Sequence, residues 1–550
     1  MILDFIEKTG AYIVRVPRKD SVVIQELVRQ HGLDFSTSAS TAQEAVLFTR
    51  EAYAAAAFWQ HATPRAQQAL GQIHTEIEAS WALDSGSNFL VPSDKELWKY
   101  QKADLDYALR RRNTLIGDQP GLGKTPTAIV FCNEVCRDLP RGRAPRILVL
   151  CPANIRRQWE QRIMEWTTFR WPTMIYRIDR ASQGVHPTAQ WTVVSYDLAR
   201  VESLWKALAK GHYDVLILDE AHYLKTMDAR RTRTVFGGGT EAIACALASK
   251  SERILALTGT PLPNRPREAY VLGRNLCWDA FDWCSEDTFK ERFNPSRRIE
   301  IPDGKGGTKV AVDERSGRHQ ELQARLRSNF MCRHLKREVM PWLKMPVFDL
   351  IQMEETAAVK QALRAESLLD IDPENLEGAD MSVMGQIAAV RKMMGIAMAP
   401  QVADYVNMLV DGGEEKLVVF YWHIEVGNIF ENKLKQHGIA KIDGGTSPAK
   451  REREKTRFIK DPNCQILIGN LQAMGVGTDG LQEVAWHALI AEPDWTPGNN
   501  IQAFDRLDRG GQARTVQGDI CVAPNSLAEK ILASALRKMA VTHNSLDKRM

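Results

Sequence analysis

The sequence predicts an α/β chain: two parallel-sheet lobes, a helical insertion between them and a small N-terminal domain. Three observations carry this. From about residue 95, short β-branched runs ending in Gly, Asp or Thr are each followed by a helical stretch, the pattern of strands joined by crossover helices. That pattern breaks at the Gly/Lys-rich Asp303-Gly-Lys-Gly-Gly-Thr308 and resumes at Lys416. At 550 residues the chain exceeds what one hydrophobic core organises and implies roughly three to four domains.

In chain order, residues 1–90 read as an α+β accessory domain. They hold the alternating stretch Ala11-Tyr-Ile-Val-Arg-Val16, helical apolar spacing from Val22 to Val28 and an Ala-rich stretch from Tyr53 to Phe58. The first lobe is placed at 91–275, with strands at Thr114–Ile116, Arg146–Leu150, Trp191–Val194, Val215–Leu218 and Ile254–Leu257. Residues 276–400 read as a helical insertion and linker, with a charged helical tract reaching Lys344. The second lobe is placed at 401–523, with strands at Lys416–Phe420, Gln465–Ile468 and His487–Ile490, and 524–550 read as a helical brace. No repeat and no low-complexity segment is visible in the sequence.

Composition is ordinary for a globular protein, with 44% hydrophobic and 25% charged residues. Seventy-two basic and 68 acidic residues leave a net charge of +4, so a nucleic-acid partner requires a local basic surface rather than a tail. The nine cysteines are scattered and never form CxxC pairs, which argues against a disulfide framework or structural zinc and for a reducing compartment. The start MILDFIEKTG is no signal peptide, and no apolar run approaches the ~18 residues of a membrane span. The expected setting is cytoplasmic, nuclear in a eukaryote, and not secreted.

Asp118-Gln-Pro-Gly-Leu-Gly-Lys-Thr125 sits between an apolar run and a helical one, as a phosphate loop does. Gly121 and Gly123 let backbone N–H groups turn toward phosphate at a helix N-terminus, Lys124 reaches the β/γ-phosphates and Thr125 ligates Mg²⁺. The strict motif has glycine at 118, where Asp stands. Val215-Leu-Ile-Leu-Asp-Glu-Ala-His222 brings two acids to a strand tip: Asp219 to hold Mg²⁺ through water, and Glu220 to orient or deprotonate the attacking water. Alone, the first segment also reads as a glycine-rich turn and the second as a helix cap. Together in one lobe they read as an ATP site.

From about 95 to 525 the chain resembles the helicase superfamily, Swi/Snf type, through an ordered series of further motifs. Tyr100-Gln101 resembles the adenine-reading glutamine motif. Cys151-Pro-Ala153 with Gln158-Trp159, and Ser195-Tyr-Asp197, resemble first-lobe motifs that face DNA. Leu257-Thr-Gly-Thr-Pro-Leu-Pro-Asn264 is similar to the motif coupling hydrolysis to DNA contact. Ile442-Asp-Gly-Gly445 and Gln472-Ala-Met-Gly-Val-Gly-Thr-Asp-Gly480 resemble loops of the second lobe, and Gln502-Ala-Phe-Asp-Arg-Leu-Asp-Arg-Gly-Gly-Gln512 resembles the final motif. Phe330–Val339 with Pro341-Trp-Leu, and Asp494-Trp-Thr-Pro-Gly498, point to the Swi/Snf type; as bare residues they read as an amphipathic helix with a solvated basic face and as a turn. Residues 391–404 are similar to the segment before lobe two in the annealing-helicase branch, and 1–90 to the substrate-recognition domain that accompanies such motors.

The resemblance implies RecA-like lobes and a nucleic-acid-stimulated ATPase with ATP and Mg²⁺ as cofactors. Tyr100, Gln101, Gly477 and Gln502 join the phosphate loop in binding nucleotide, and Arg506 and Arg509 act on the γ-phosphate. Pro152, Ser195, Tyr196, Thr258, Gly259, Thr260, Gly444 and Trp495 face nucleic acid. The implied partner is DNA, double-stranded or branched, along which the motor moves. The alternatives are a strand-separating DNA or RNA helicase and a decayed ATPase serving as a binding module. The chain departs from the family at Gln119-Pro120, where Glu-Met is usual, and at Arg509-Gly510, where Arg-Ile is usual.

Overall fold

Continuous apolar runs become strands covered on both faces. This computed structural model describes the chain except residues 141, 239–244, 263–264, 303–307, 315–316, 370–380, 475–478, 495–496, 531, 533–545 and 548–550. Two compact units emerge, one comprising Met1–Gln119 and Gly123–Leu335 with Leu546 and Asp547, the other Lys336–Met539 with Pro120–Leu122.

In the first unit, β1 (Ile2–Ile6), β2 (Ala11–Pro17), β3 (Asp34–Ser36) and β4 (Glu44–Thr49) form an antiparallel sheet in the order β1-β2-β4-β3. The alternation expected at 11–16 is realised in β2, where Val14 and Val16 join Leu3, Leu27, Leu47 and Leu70 in a small core. Next come β5 (Asn113–Ile116), β6 (Ile147–Cys151), β7 (Ile175–Arg177), β8 (Trp191–Ser195), β9 (Tyr213–Asp219) and β10 (Ser251–Leu257). β11 (Ser296–Pro302) and β12 (Thr308–Glu314) pair as a separate antiparallel hairpin, and β13 (Met331–Cys332) lies beside β5. The large sheet runs β13-β5-β10-β9-β6-β8-β7, with every pairing parallel. Every residue of β6, β8 and β9 is buried, which is why these strands read as unbroken apolar runs.

The second unit repeats the plan with β14 (Val347–Gln352), β15 (Leu417–Tyr421), β16 (Ile439–Ile442), β17 (Ile466–Asn470), β18 (His487–Ile490) and β19 (Gln517–Val522). Their order is β14-β19-β18-β15-β17-β16, again all parallel. Val419, Tyr421 and Ile468 face one core; Val418, Phe420 and Leu467 alternate into the other. The helix Met381–Asp411, which contains the 391–404 segment, buries Met394, Met398, Val402, Val406 and Val410 at four-residue spacing against the first of these cores.

The 276–400 stretch is not helical throughout: it carries the β11–β12 hairpin, β13 in the first sheet and β14 in the second. β13 is only two residues long, too short for apolar periodicity to reveal. The basic tract at 330–339 also differs from an amphipathic helix. Arg333, His334 and Lys336 are buried, and only the four residues Lys336–Val339 are helical. Most of the expected C-terminal brace lies outside the described residues. No described helix is long and apolar enough to cross a membrane.

Residues 1–90 pack on the first lobe through ion pairs and backbone contacts. Arg325 Nη2 lies 2.5 Å from Glu51 Oε2, and Arg111 pairs with Glu76. The fully buried Arg327 stacks 3.3 Å over the Trp81 ring and donates to the carbonyls of Ser80 (3.3 Å), Arg333 (3.3 Å) and Leu546 (2.8 Å). Replacing Arg327 with Met strips the donor from three carbonyls and should cost about 3 kcal/mol of unfolding free energy. A urea-denaturation midpoint unchanged by the substitution would show that this guanidinium does not hold the N-terminal region in place.

Candidate active site

In a parallel sheet whose faces are both buried, polar groups can emerge only where strands end, and ligand sites form at the carboxyl ends. The first lobe follows that rule. Asp118 and the phosphate loop follow β5, Pro152 follows β6, Ser195 ends β8, Asp219 ends β9 and Thr258 follows β10.

The phosphate loop turns through Gly121 (φ +87°) and Gly123 (φ +73°) into the helix Lys124–Val135. The positive φ at 123 favours glycine, and a Cβ there would also displace Gln101 Nε2, which stands 2.5 Å from that position. Gln101 Nε2 donates to the Gly123 carbonyl at 3.3 Å, while its Oε1 accepts the Trp98 N–H at 2.9 Å. The expected adenine-reading residue is thus held against the loop it serves. Tyr100 is buried in the same helix, Lys99–Leu109, and burial raises its phenol pKa. Lys124 Nζ donates to the carbonyls of Asp118 (2.7 Å) and Gln119 (3.2 Å). Burial pulls its pKa down, and the negative charges of Glu220, Asp118 and Asp219 oppose that pull.

Asp219 is buried, and its carboxyl is pushed up to about 7, first by burial and then by the charge of Glu220. Trp159 Nε1 donates to Asp219 Oδ2 at 2.6 Å, and Tyr196 Oη donates to the Asp219 carbonyl at 2.9 Å. Glu220 adopts φ +51°, a left-handed conformation costing a non-glycine residue about 1–2 kcal/mol. The neighbouring fold holds it there. His222 Nδ1 lies 3.2 Å from Glu220 Oε2, 2.9 Å from Thr258 Oγ1 and 3.4 Å from Thr260 Oγ1. One imidazole therefore joins the acid motif to the coupling motif. A divalent cation fits this donor set: Asp219 is raised first by burial and then by the charge of Glu220 at the same strand tip, and a cation relieves that repulsion.

The residues expected to face nucleic acid divide. Pro152 is half-buried and Gly444 exposed, in a turn where Asp443 Oδ1 accepts from Gly445 N at 3.0 Å. Ser195, Tyr196 and Thr258 differ from expectation: they are buried, and Gly259 is enclosed with them. The Ser195 hydroxyl caps a helix through Leu198 N (3.3 Å), Tyr196 bonds to the Asp219 carbonyl, and Thr258 Oγ1 receives Thr260 N at 3.1 Å. Their motif positions are strand tips, where a side chain turned inward braces the acids. Trp495 and Gly477 lie outside the described residues.

In the second unit Gln502 is buried in the helix Pro497–Phe504. Arg506 and Arg509 both approach Asp479: Arg509 hydrogen-bonds it, and Arg506 Nη1 stands 4.0 Å away. The turn carrying them is fastened by Lys336, whose ammonium pairs with Asp505 and with Asp508 at 2.8 Å. Lys336, His222, Arg333 and Trp159's bond to Asp219 are contacts around the candidate site that motif reading did not assign. Only three-dimensional proximity reveals them.

A family model described as "SNF2-related domain" matches residues 50–394. Among curated proteins, the human "DNA annealing helicase and endonuclease ZRANB3" is 29% identical over 466 residues, 82% of this chain and 41% of that protein. The Xenopus laevis "SWI/SNF-related matrix-associated actin-dependent regulator of chromatin subfamily A-like protein 1" is 27% identical over 457 residues, 81% of this chain and 43% of that one. The chain thus spans about two fifths of the length of these relatives. Among solved structures, the "Sulfolobus solfataricus SWI2/SNF2 ATPase core in complex with dsDNA" is 17% identical with a TM-score of 0.39, covering 85% of this chain and all of that one.

Proposed function

We propose an ATP-driven DNA translocase activity for this chain, which belongs to the SNF2-related domain family. The observation that carries the reading is the convergence of Lys124, Asp219 and Glu220 at the carboxyl ends of one parallel sheet, with Gln101 bonded to the phosphate loop. The similarity to curated annealing helicases supports DNA, double-stranded or branched, as the track. In this reading 91–275 and 401–523 are the two motor lobes, 1–90 is an accessory domain for substrate recognition, and the setting is cytoplasm, or nucleus in a eukaryote.

Gln101 and Tyr100 take the adenine, and backbone N–H groups at Gly121 and Gly123 with the Lys124 ammonium take the phosphates. Thr125 and Asp219 would hold Mg²⁺, which neutralises charge developing on the phosphoryl oxygens. Glu220, fixed by its strained backbone and by His222, orients or deprotonates water. Gly477 and Gln502 are the second-lobe residues assigned to the nucleotide, and Arg506 and Arg509 stabilise charge on the γ-phosphate. DNA is read through its backbone by Pro152, Gly259, Thr260, Gly444 and Trp495, while Ser195, Tyr196 and Thr258 brace those loops from within.

The deciding experiment is ATPase rate measured without nucleic acid and with single-stranded DNA, duplex DNA, forked DNA and RNA. Stimulation by duplex or forked DNA supports the translocase; stimulation by RNA or single strands alone favours a strand-separating helicase, and no hydrolysis favours a binding module. Lys124→Ala should reduce hydrolysis at least about a hundredfold. Glu220→Gln should bind fluorescent ATP normally while turning over at least about a hundredfold more slowly; lost nucleotide binding would make Glu220 structural. DNA affinity should fall steeply with salt and change little with base sequence, and a salt-insensitive interaction would contradict backbone tracking.

A further inference from the structure

One buried polar cluster in the first unit has no role in the chemistry above. Asp104, Asp118 and His334 are each no more than 1% exposed. His334 Nδ1 lies 3.1 Å from Asp118 Oδ1 and 3.2 Å from Asp104 Oδ1. On the other side of the ring, Nε2 stands 3.0 Å from the Ala82 carbonyl, which can only accept, so Nε2 carries a proton. The backbone joins in: His334 N donates to Asp118 Oδ1 at 2.8 Å, and the His334 carbonyl accepts Gln119 N at 3.1 Å.

The three residues come from different elements. Asp104 belongs to the helix Lys99–Leu109 that also carries Gln101, Asp118 opens the phosphate loop, and His334 follows β13. Asp118 offers its carboxylate to His334 and its carbonyl to Lys124, so whatever fixes the Asp118 peptide also fixes the acceptor that holds the lysine. The Cys332 carbonyl adds a bond to Gly117 N at 2.8 Å, one residue earlier.

We propose that His334 is a positioning residue of the phosphate loop: ring and backbone together clamp Asp118 and Gln119, tying the loop to the adenine-side helix and to the N-terminal region at Ala82. The inference rests on the nucleotide-site reading and deepens it. An aspartate at 118 is explained by the clamp, since glycine there would leave the His334 N–H and ring without their carboxylate.

The clamp has a protonic consequence. Asp104 and Tyr100 from the adenine-side helix and Asp118 from the loop face His334, while Lys124 acts on Asp118 and Cys332 lies beside both carboxyl groups. Burial followed by the charge of Asp118 pushes Asp104 up to about 7. His334, although burial opposes its charge, is raised well above its ordinary value by the two carboxylates. A carboxyl raised in the folded state stabilises the fold below its unfolded value of 3.8, and that contribution is lost as pH rises toward about 7. Ionised Asp104 then adds a negative charge beneath a loop that must receive phosphates. A metal ion is a poorer occupant, because the ring nitrogen sits at hydrogen-bonding distance from both carboxylates.

The test uses the full chain and three variants: His334→Gln, His334→Asn and Asp104→Asn. Hydrogen exchange of the 117–125 backbone, measured without nucleotide, reads the loop itself; ATP saturation curves from about pH 6 to pH 9 read its use. Both His334 variants should exchange at least about tenfold faster at the loop, and should raise KM for ATP at least about fivefold with a smaller change in kcat. Wild-type KM should climb as pH passes about 7, whereas Asp104→Asn, fixed in the neutral form, should remain flat. Unchanged loop exchange in the His334 variants overturns the proposal, as does Asp104→Asn retaining the wild-type pH profile. So does a stoichiometric zinc, found by elemental analysis, that is lost with His334. If the His334 variants do not fold, the isosteric Asp104→Asn decides alone. A wild type that hydrolyses no ATP would sink the proposed function, while the exchange measurement still decides the clamp.

Discussion

The candidate site depends on one constraint: the central strands of two parallel sheets are buried on both faces. Such strands have no solvent side on which to place polar groups, so chemistry is confined to their ends. β9 makes the point, running through Val215, Leu216, Ile217 and Leu218 without exposure before delivering Asp219 and Glu220 at its tip. β5 and β10 end on the same edge, and so the phosphate loop and Thr258 arrive beside those acids without any sequence proximity.

Confinement has an electrostatic cost, and the site shows how it is offset. Lys124 is pulled toward neutrality by burial, Asp219 likewise, and each is the other's partial remedy. Glu220 works against Asp219, since two carboxylates at one strand tip repel. Fixed dipoles absorb part of that: the Trp159 indole N–H at Asp219 Oδ2 and the Glu220 N–H at Asp219 Oδ1, 2.9 Å away. The acids are thus held by the chain's own fixed dipoles, which is the kind of arrangement electrostatic preorganisation uses.

The fold was legible in the sequence wherever periodicity was long. β6, β8, β9, β10, β15, β17 and β18 all fall on the runs that predicted them, within three residues at their ends. Lys124, Asp219 and Glu220 could be singled out as candidates because chemistry restricts residue type at fixed spacing. What sequence could not show was direction. Ser195, Tyr196 and Thr258 occupy motif positions that look outward on paper but turn inward, where their hydroxyls satisfy a helix terminus, the Asp219 carbonyl and His222. β13 and β14 were missed for another reason: both are edge strands, β13 only two residues long and β14 mostly exposed, and each is placed by the neighbour it pairs with rather than by its own pattern.

The basic tract 325–337 shows the same limit most sharply. Read linearly, its arginines and lysines suggest a charged face turned to water or to phosphate. Folded, Arg325, Arg327, Arg333 and Lys336 are buried, and a buried cation is tolerable only when paired. Each has found a partner distant in sequence: Arg325 takes Glu51, Arg327 the carbonyls of Ser80 and Leu546, Arg333 the Asp547 carboxylate and the Gly259 carbonyl, Lys336 two aspartates. These pairings reach the N-terminal region, the chain's end and the coupling motif from a single stretch. Because removing either partner strands a charge, the tract has little freedom to drift in position, and that rigidity suits a segment lying alongside a phosphate loop. Basic residues that a linear reading would leave on a solvated face are here committed to holding the first lobe and the final-motif turn in shape.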